Sequence, residues 1–235
     1  TSREVNPFSS KYDAYLAGRV QLSPAEKRGL DLFAGKANCT ACHPHQRGED
    51  GSPPLFTDFT YDNVGVPRNP ANPFLRQPAV FNAAGPQYRD LGLGEIVKDP
   101  AHDGKVKVPT LRNVSKKPHP EFVKAFLHNG VFKSVHAVVR FYNVRDVTPQ
   151  VFGPPDVASN VNKDELGKLG LTEAEELDIV AFLETLSDGY DPSPRPTTGG
   201  PILQTSGSKF QDARDALRVN RFRQRTAQGD DPIRR

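Results

Sequence analysis

The chain has 235 residues, of which 25% are charged and 36% hydrophobic, enough for one good core with at most a small second unit. No run approaches the roughly 18 apolar residues of a membrane-spanning helix, and the sequence starts at Thr and contains no Met, as expected of a processed or trimmed product. The net charge of +3 is uneven: residues 190–235 carry nine Lys or Arg against five Asp, a net of +4 that leaves −1 for the body, so the basicity marks a solvated or docking tail rather than a nucleic-acid-binding surface.

Residues 1–22 form a leading segment in which Phe8, Tyr12, Tyr15 and Leu16 predict a short helix over Ser10–Ala17, ended by Gly18. A larger body follows over 23–190. Ser23 as N-cap, Pro24 in the first turn and Glu26 completing a capping box predict a helix from Pro24 to Ala34, with Gly35 as its stop. Gly29 and Phe33 lie four apart on one face of it. Between His43 and Pro109, nine Pro from Pro53 onward exclude long regular elements. Loops of that length need something to pack on, and Leu55, Phe56, Phe59, Tyr61 and Val64 are the candidates to do so. Pro120 predicts a helix to His128, closed by Asn129-Gly130. Ser134 caps another through Asn143, with Val135, Val138, Val139 and Tyr142 on one inward face. Thr172 and Glu175 cap the run Glu173–Leu186, with Leu177, Val180, Ala181 and Phe182 on one side and Leu183 and Leu186 extending it. The remainder, 191–235, reads as a Pro/Gly/Ser/Thr-rich linker over 191–207 and a basic segment over 208–228 that is disordered or docked on a partner.

Chemistry concentrates in Cys39-Thr40-Ala41-Cys42-His43. A Cys-x-x-Cys-His run is the pattern of covalent c-type haem attachment. Two thiols three residues apart can each add across one of two neighbouring vinyl groups, and the next residue presents an imidazole to the iron. His43 is then the proximal ligand. A zinc site would need two further Cys or His ligands, and no third Cys exists. A thioredoxin-like pair would sit in a βαβ context, and a plain disulfide leaves His43 without a role. One covalent haem c implies an exported chain, placed in the bacterial periplasm.

Helices at both ends of the body, with the haem motif just after the first, resemble the class I cytochrome c fold, whose terminal helices cross at a Gly/aromatic contact. Gly29, Phe33 and Phe182 match it. The blocks Leu-Phe-Thr-Asp-Phe (55–59), Val-Pro-Thr-Leu-Arg-Asn-Val (108–114), His-Asn-Gly (128–130), Val-Val-Arg-Phe-Tyr-Asn (138–143) and the helix at 171–186 resemble, in order, the C-terminal haem domain of bacterial di-haem cytochrome c peroxidases and the related MauG enzymes, over roughly 7–190. The fold this implies is mainly α, a helical cytochrome c-like domain around one covalent haem with long irregular loops and an extended tail.

The resemblance also addresses the sixth iron ligand. In di-haem peroxidases a Met fills that place in this domain. Tyr142 stands at the corresponding position, as in MauG-type members, and the chain has no Met to compete. A phenolate favours ferric over ferrous iron. The plainer reading makes Tyr142 a core residue whose hydroxyl is bonded elsewhere. His128, in the His-x-Gly block, is the main rival ligand, or else a packing residue near the haem. His136 falls off the inward stripe and is expected to face solvent, with His45, His102 and His119 as surface residues. Arg112 would pair with a haem propionate or hold its loop.

The family carries two haems on two domains, whereas this chain has one attachment motif. Three functions compete: a single-electron relay acting with a redox partner or a second haem-bearing chain; a peroxidase or MauG-like oxidase, with His128 or Glu121 as acid–base group; or a structural subunit of a larger redox assembly, anchored by its tail. Calcium can sit between the family's two domains, but no dedicated oxygen-ligand loop is visible.

Overall fold

The computed structural model describes residues 8–193. The expectations for a linker and basic segment from residue 194 onward lie outside these residues. The described part is mainly helical: α1 (Lys11–Leu16), α2 (Pro24–Ala34), α3 (Leu93–Val97), α4 (Val135–Val144), α5 (Pro149–Phe152) and α6 (Glu173–Glu184), with two-residue strands β1 (Tyr61–Asp62) and β2 (Val106–Lys107). The strands pair antiparallel, with Tyr61 opposite Lys107 and Asp62 opposite Val106. No described helix is long and apolar enough to cross a membrane.

The capping chemistry acts as expected. Ser23 and Glu26 form a reciprocal capping box on α2, and Thr172 and Glu175 do the same on α6, each satisfying two backbone donors that a helix start leaves open. The same device opens α1, where Ser10 and Asp13 cap one another. These three starts place α1, α2 and α6 around one aromatic cluster. Tyr12 stands edge-on to Phe182 and Phe56 at 5.4 and 5.5 Å between ring centroids. Phe33 lies 5.2 Å from Phe182, which is fully buried. Edge-to-face pairs at these separations are the favoured aromatic geometry.

Helices α2 and α6 touch at Gly29. A Cβ there would lie 1.9 Å from the Asp178 carbonyl oxygen and 2.9 Å from the Phe182 Cβ. The backbone of α6 occupies the space a side chain would need, so Gly→Ala cannot be absorbed by a rotamer change. Gly29→Ala is expected to destabilise the domain at the upper end of the overpacking range, about 3 kcal/mol, read as a lowered midpoint in thermal unfolding.

Several sequence expectations need correction. Residues 120–128 are not helical. Phe126 instead pairs with Phe132, its N–H donating to the Phe132 carbonyl at 2.9 Å, and Leu127 has a φ of +61°. The Asn129-Gly130 turn therefore closes a small hairpin, not a helix. Helix α6 ends at Glu184 and not at Leu186: the N–H groups of Thr185 and Leu186 donate to the carbonyls three residues back, of Phe182 at 2.9 Å and Leu183 at 3.2 Å, which tightens the chain out of the α-helix, and their carbonyls accept from Tyr12 and Asn113 N–H. Its buried face is Glu176, Ile179, Phe182 and Leu183, while Leu177 is 45% exposed. In the long loop region Phe56 is buried as expected. Phe59 and Tyr61, at 55% and 45% exposure, are not; the Phe59 ring carries the Lys107 ammonium 4.8 Å above it.

Candidate haem site

Helix α2 stops at Gly35, and the chain turns through Asn38, held in the left-handed region at φ +51°. Residues Cys39–Ala41 then make one 3₁₀ turn, closed by Cys42 N–H donating to the Cys39 carbonyl at 3.4 Å, and His43 N–H donates to the same carbonyl at 2.9 Å. This tight turn brings both cysteines and His43 to one cavity. The cavity encloses about 520 Å³, within the roughly 300–1,000 Å³ common for cofactor sites. It is lined mostly by apolar groups: Val64 and Val66 from the long loop, Val106 and Val108 at β2, Val135, Val138 and Val139 from α4, and Ile179 and Leu183 from α6. All four residues of the inward α4 stripe, Tyr142 included, reach it.

His43 is oriented by a single bond: its Nδ1 lies 2.7 Å from the Phe56 carbonyl. A carbonyl only accepts, so Nδ1 carries the proton and Nε2 keeps its lone pair. Burial keeps the ring neutral, pushing its pKa below the usual histidine value although the bond to Phe56 pulls the other way. A neutral imidazole held at Nδ1 by a backbone carbonyl is the usual preparation of a histidine ligand. Burial raises the Cys39 thiol to about 12 and the Cys42 thiol to about 11, the latter helped by Glu165, Asp58 and Asp62. No disulfide joins the two cysteines, so both sulfurs are available for attachment.

The Tyr142 phenol is enclosed, and burial, then the neighbouring Cys39, Cys42 and Asp62, push its pKa above the ordinary tyrosine value. Its hydroxyl makes no hydrogen bond to any described residue, whereas its backbone carbonyl accepts from Gly167 N–H at 2.6 Å.

Arg112 also lines the cavity. Its terminal nitrogens are committed to Asp13, at 2.9 and 2.5 Å, with Asp188 at 3.4 Å, so the residue holds its loop against α1 and the end of the body. Only Nε, buried without a partner, is left for a further acceptor. His128 lines the cavity and a neighbouring polar cleft of about 230 Å³ that also contains Arg68, Asp90 and Asp156; burial lowers its pKa. His136 departs from expectation. It is half-buried and its Nε2 lies 3.1 Å from the carboxylate of Glu176. His45, half-buried, offers its carbonyl to Tyr12 OH at 3.2 Å, while His102 and His119 stand near Asp99 and Glu121. Glu121 is exposed and does not line the cavity, which removes it as an acid–base group there. Asp62 and Glu165 bring carboxylates within 4.8 Å of the Cys42 sulfur and of each other, with Asn162 donating to both at 2.6 Å.

These donors fit a haem: two thiols at vinyl-attachment spacing, an imidazole with a free Nε2, an unpaired phenol, apolar walls, and one buried guanidinium nitrogen suited to a propionate. Sequence reasoning missed Asp13, Asp188, Asn143 and Glu176. For Glu176 a signal existed, since its spacing to Ile179 and Leu183 puts a carboxylate on the apolar face of α6.

No protein-family model matches the chain. It is 33% identical to the methylamine utilization protein MauG of Paracoccus denitrificans over 203 residues, which cover 80% of this chain and 49% of that protein. It is 32% identical to the cytochrome-c peroxidase IdrP1 of Denitromonas iodatirespirans over 193 residues, covering 75% and 44%. Among solved structures, the diheme peroxidase BthA of Burkholderia thailandensis aligns with a TM-score of 0.62 at 35% identity, covering 80% of this chain and 48% of that one. Fold and site thus define a helical domain of a haem oxidoreductase family. The homologues it matches over about four fifths of its length are members of the MauG and di-haem cytochrome c peroxidase family, and it spans about half the length of the curated relatives it matches.

Proposed function

We propose that the chain is a c-type haem protein whose single covalent haem, held in a class I cytochrome c-like domain, relays electrons one at a time. The observation that carries this reading is the convergence of Cys39, Cys42, His43 Nε2 and Tyr142 on one apolar cavity. When bound there, haem supplies one-electron chemistry between ferric and ferrous iron. The chain's own residues do the rest. Cys39 and Cys42 tether the macrocycle. The Phe56 carbonyl fixes the His43 ring. Tyr142, whose hydroxyl lacks a hydrogen-bond partner among the described residues, would offer the iron its phenol oxygen from the α4 side of the cavity. Valine and leucine walls exclude water. Haem attachment through thiols supports a periplasmic location, and the diheme peroxidase it resembles favours a redox partner that carries a second haem.

The experiment is the absorption spectrum of ferric and dithionite-reduced protein, with and without carbon monoxide. Six-coordinate spectra in both states, unchanged by the gas, with a phenolate charge-transfer band in the ferric form, are expected. Tyr142→Phe should abolish that band, raise the reduction potential and admit carbon monoxide. An identical spectrum in Tyr142→Phe would overturn the ligand assignment.

A second reading is favoured by His128, which stands at both the haem cavity and the polar cleft: peroxide chemistry, with His128 moving the proton. Turnover of peroxide by the isolated chain, lost in His128→Gln, would put this reading first.

A further inference from the structure

We propose that Glu176 is a positioning residue for Tyr142, setting the rotation of α4 that aims the phenol into the cavity; this rests on the axial-tyrosine reading above. Glu176 is 0% exposed, an unusual place for a carboxylate unless it is paired. Its partners all come from α4. His136 Nε2 lies 3.1 Å away, Arg140 Nη1 donates at 3.1 Å and Asn143 Nδ2 at 2.6 Å. Positions 136, 140 and 143 fall at i, i+4 and i+7, a polar stripe beside the apolar stripe of 135, 138, 139 and 142. One helix thus carries two adjacent faces, one reading the cavity and one reading a buried anion on α6.

The coupling between them is geometric. Successive residues of a helix are rotated by about 100°, and Tyr142 and Asn143 are successive. Any turn of α4 that withdraws the phenol from the cavity also withdraws the Asn143 amide from Glu176. Asn143 is itself clamped: its side chain accepts from Leu171 N–H at 2.9 Å and donates to the Leu171 carbonyl at 2.8 Å. Leu171 is the residue just before the α6 cap. The carboxylate therefore holds two helices in register, and a buried ion left without partners opposes every alternative register. A hydrophobic residue at 176 could pack α4 on α6 but would not fix the rotation.

The test compares the ferric phenolate band, and carbon monoxide binding after reduction, in wild type, Tyr142→Phe, Glu176→Gln and Glu176→Leu holoprotein. Gln keeps the volume and one acceptor, so Glu176→Gln should retain most of the band. Glu176→Leu should lose it and bind carbon monoxide as Tyr142→Phe does, with the haem still covalently bound. If Glu176→Leu fails to fold, carbon monoxide binding by reduced Glu176→Gln, which wild type refuses, supports the proposal in its place, and a full band with refusal of the gas in Glu176→Gln overturns it. A full band and continued refusal of the gas in both Glu176 variants, alongside a Tyr142-dependent wild-type band, would overturn the assignment of Glu176 alone. A wild-type spectrum indifferent to Tyr142→Phe would overturn the axial-tyrosine reading, and this proposal with it.

Discussion

Replacing both attachment cysteines, Cys39→Ala with Cys42→Ala, is expected to give a chain that retains no haem through denaturing electrophoresis and no longer unfolds cooperatively at the wild-type temperature. The size of the effect follows from the cavity. Its volume is about 520 Å³ and its lining is largely apolar. Single large-to-small core substitutions already cost about 2–5 kcal/mol, and here a whole apolar wall would lose its packing partner. Whole domains are stable by only about 5–15 kcal/mol. Partial collapse would recover some of the loss, but the loops that supply Val64, Val66, Val106 and Val108 have little regular structure to fall back on. Haem staining of a denaturing gel and thermal unfolding followed by circular dichroism check both halves of the expectation. A double variant that melts like wild type would show that the cysteines serve no tethered group.

The terminal helices were legible because their signals are local. Ser23 with Glu26, and Thr172 with Glu175, specify helix starts within four residues, and Gly29 is explained by one contact, the Asp178 carbonyl. The 120–128 segment misled for the converse reason. Pro120 permits a helix start, but the segment's fate is decided by Phe132, whose ring partners Phe141 on α4 and Phe152 on α5 lie at 5.1 and 5.9 Å, outside the segment itself. Once Phe132 is anchored there, Phe126 pairs with it and the helix is lost.

The site divides in the same way. Cys39, Cys42 and His43 are adjacent in sequence, and the α4 stripe that brings Tyr142 to them is periodic, so both could be read directly. The bond that selects the His43 tautomer could not, because the Phe56 carbonyl is a backbone atom with no sequence signature. Nor could the use of Arg112, whose partners Asp13 and Asp188 are 99 and 76 residues away. His136 was misplaced because an apolar stripe defines only one face; the second face of α4 became visible only with Glu176 in place.

Asp13→Ala is expected to cause the largest loss of stability among charged positions. Asp13 closes the α1 capping box by accepting from Ser10 N–H and Oγ–H at 2.9 and 2.6 Å, and it holds both terminal nitrogens of the fully buried Arg112 side chain. Its removal leaves that guanidinium with Asp188 alone, at 3.4 Å. Breaking one side of a buried ion pair typically costs about 3–5 kcal/mol, which in a domain of this size lowers the melting midpoint by roughly 6–20 °C. The pH dependence has a definite sign. Burial works against ionisation of Asp13, but the hydrogen bonds from Arg112 and Ser10 and the Arg112 charge prevail and hold its pKa below the ordinary 3.8. A carboxyl depressed on folding contributes stability that is fully present above its unfolded value and is lost as pH falls through the folded one. Glu26 and Glu176 are shifted the same way, so wild type should lose stability steeply below about pH 4. The gap between wild type and Asp13→Ala, wide and constant from pH 7 to about pH 5, should narrow under acid because the variant has one fewer depressed carboxyl to protonate. Denaturant unfolding of both proteins at several pH values measures that gap directly. A gap that widens on acidification would mean that the Asp13–Arg112 pair does not hold α1 to the body in its ionised form.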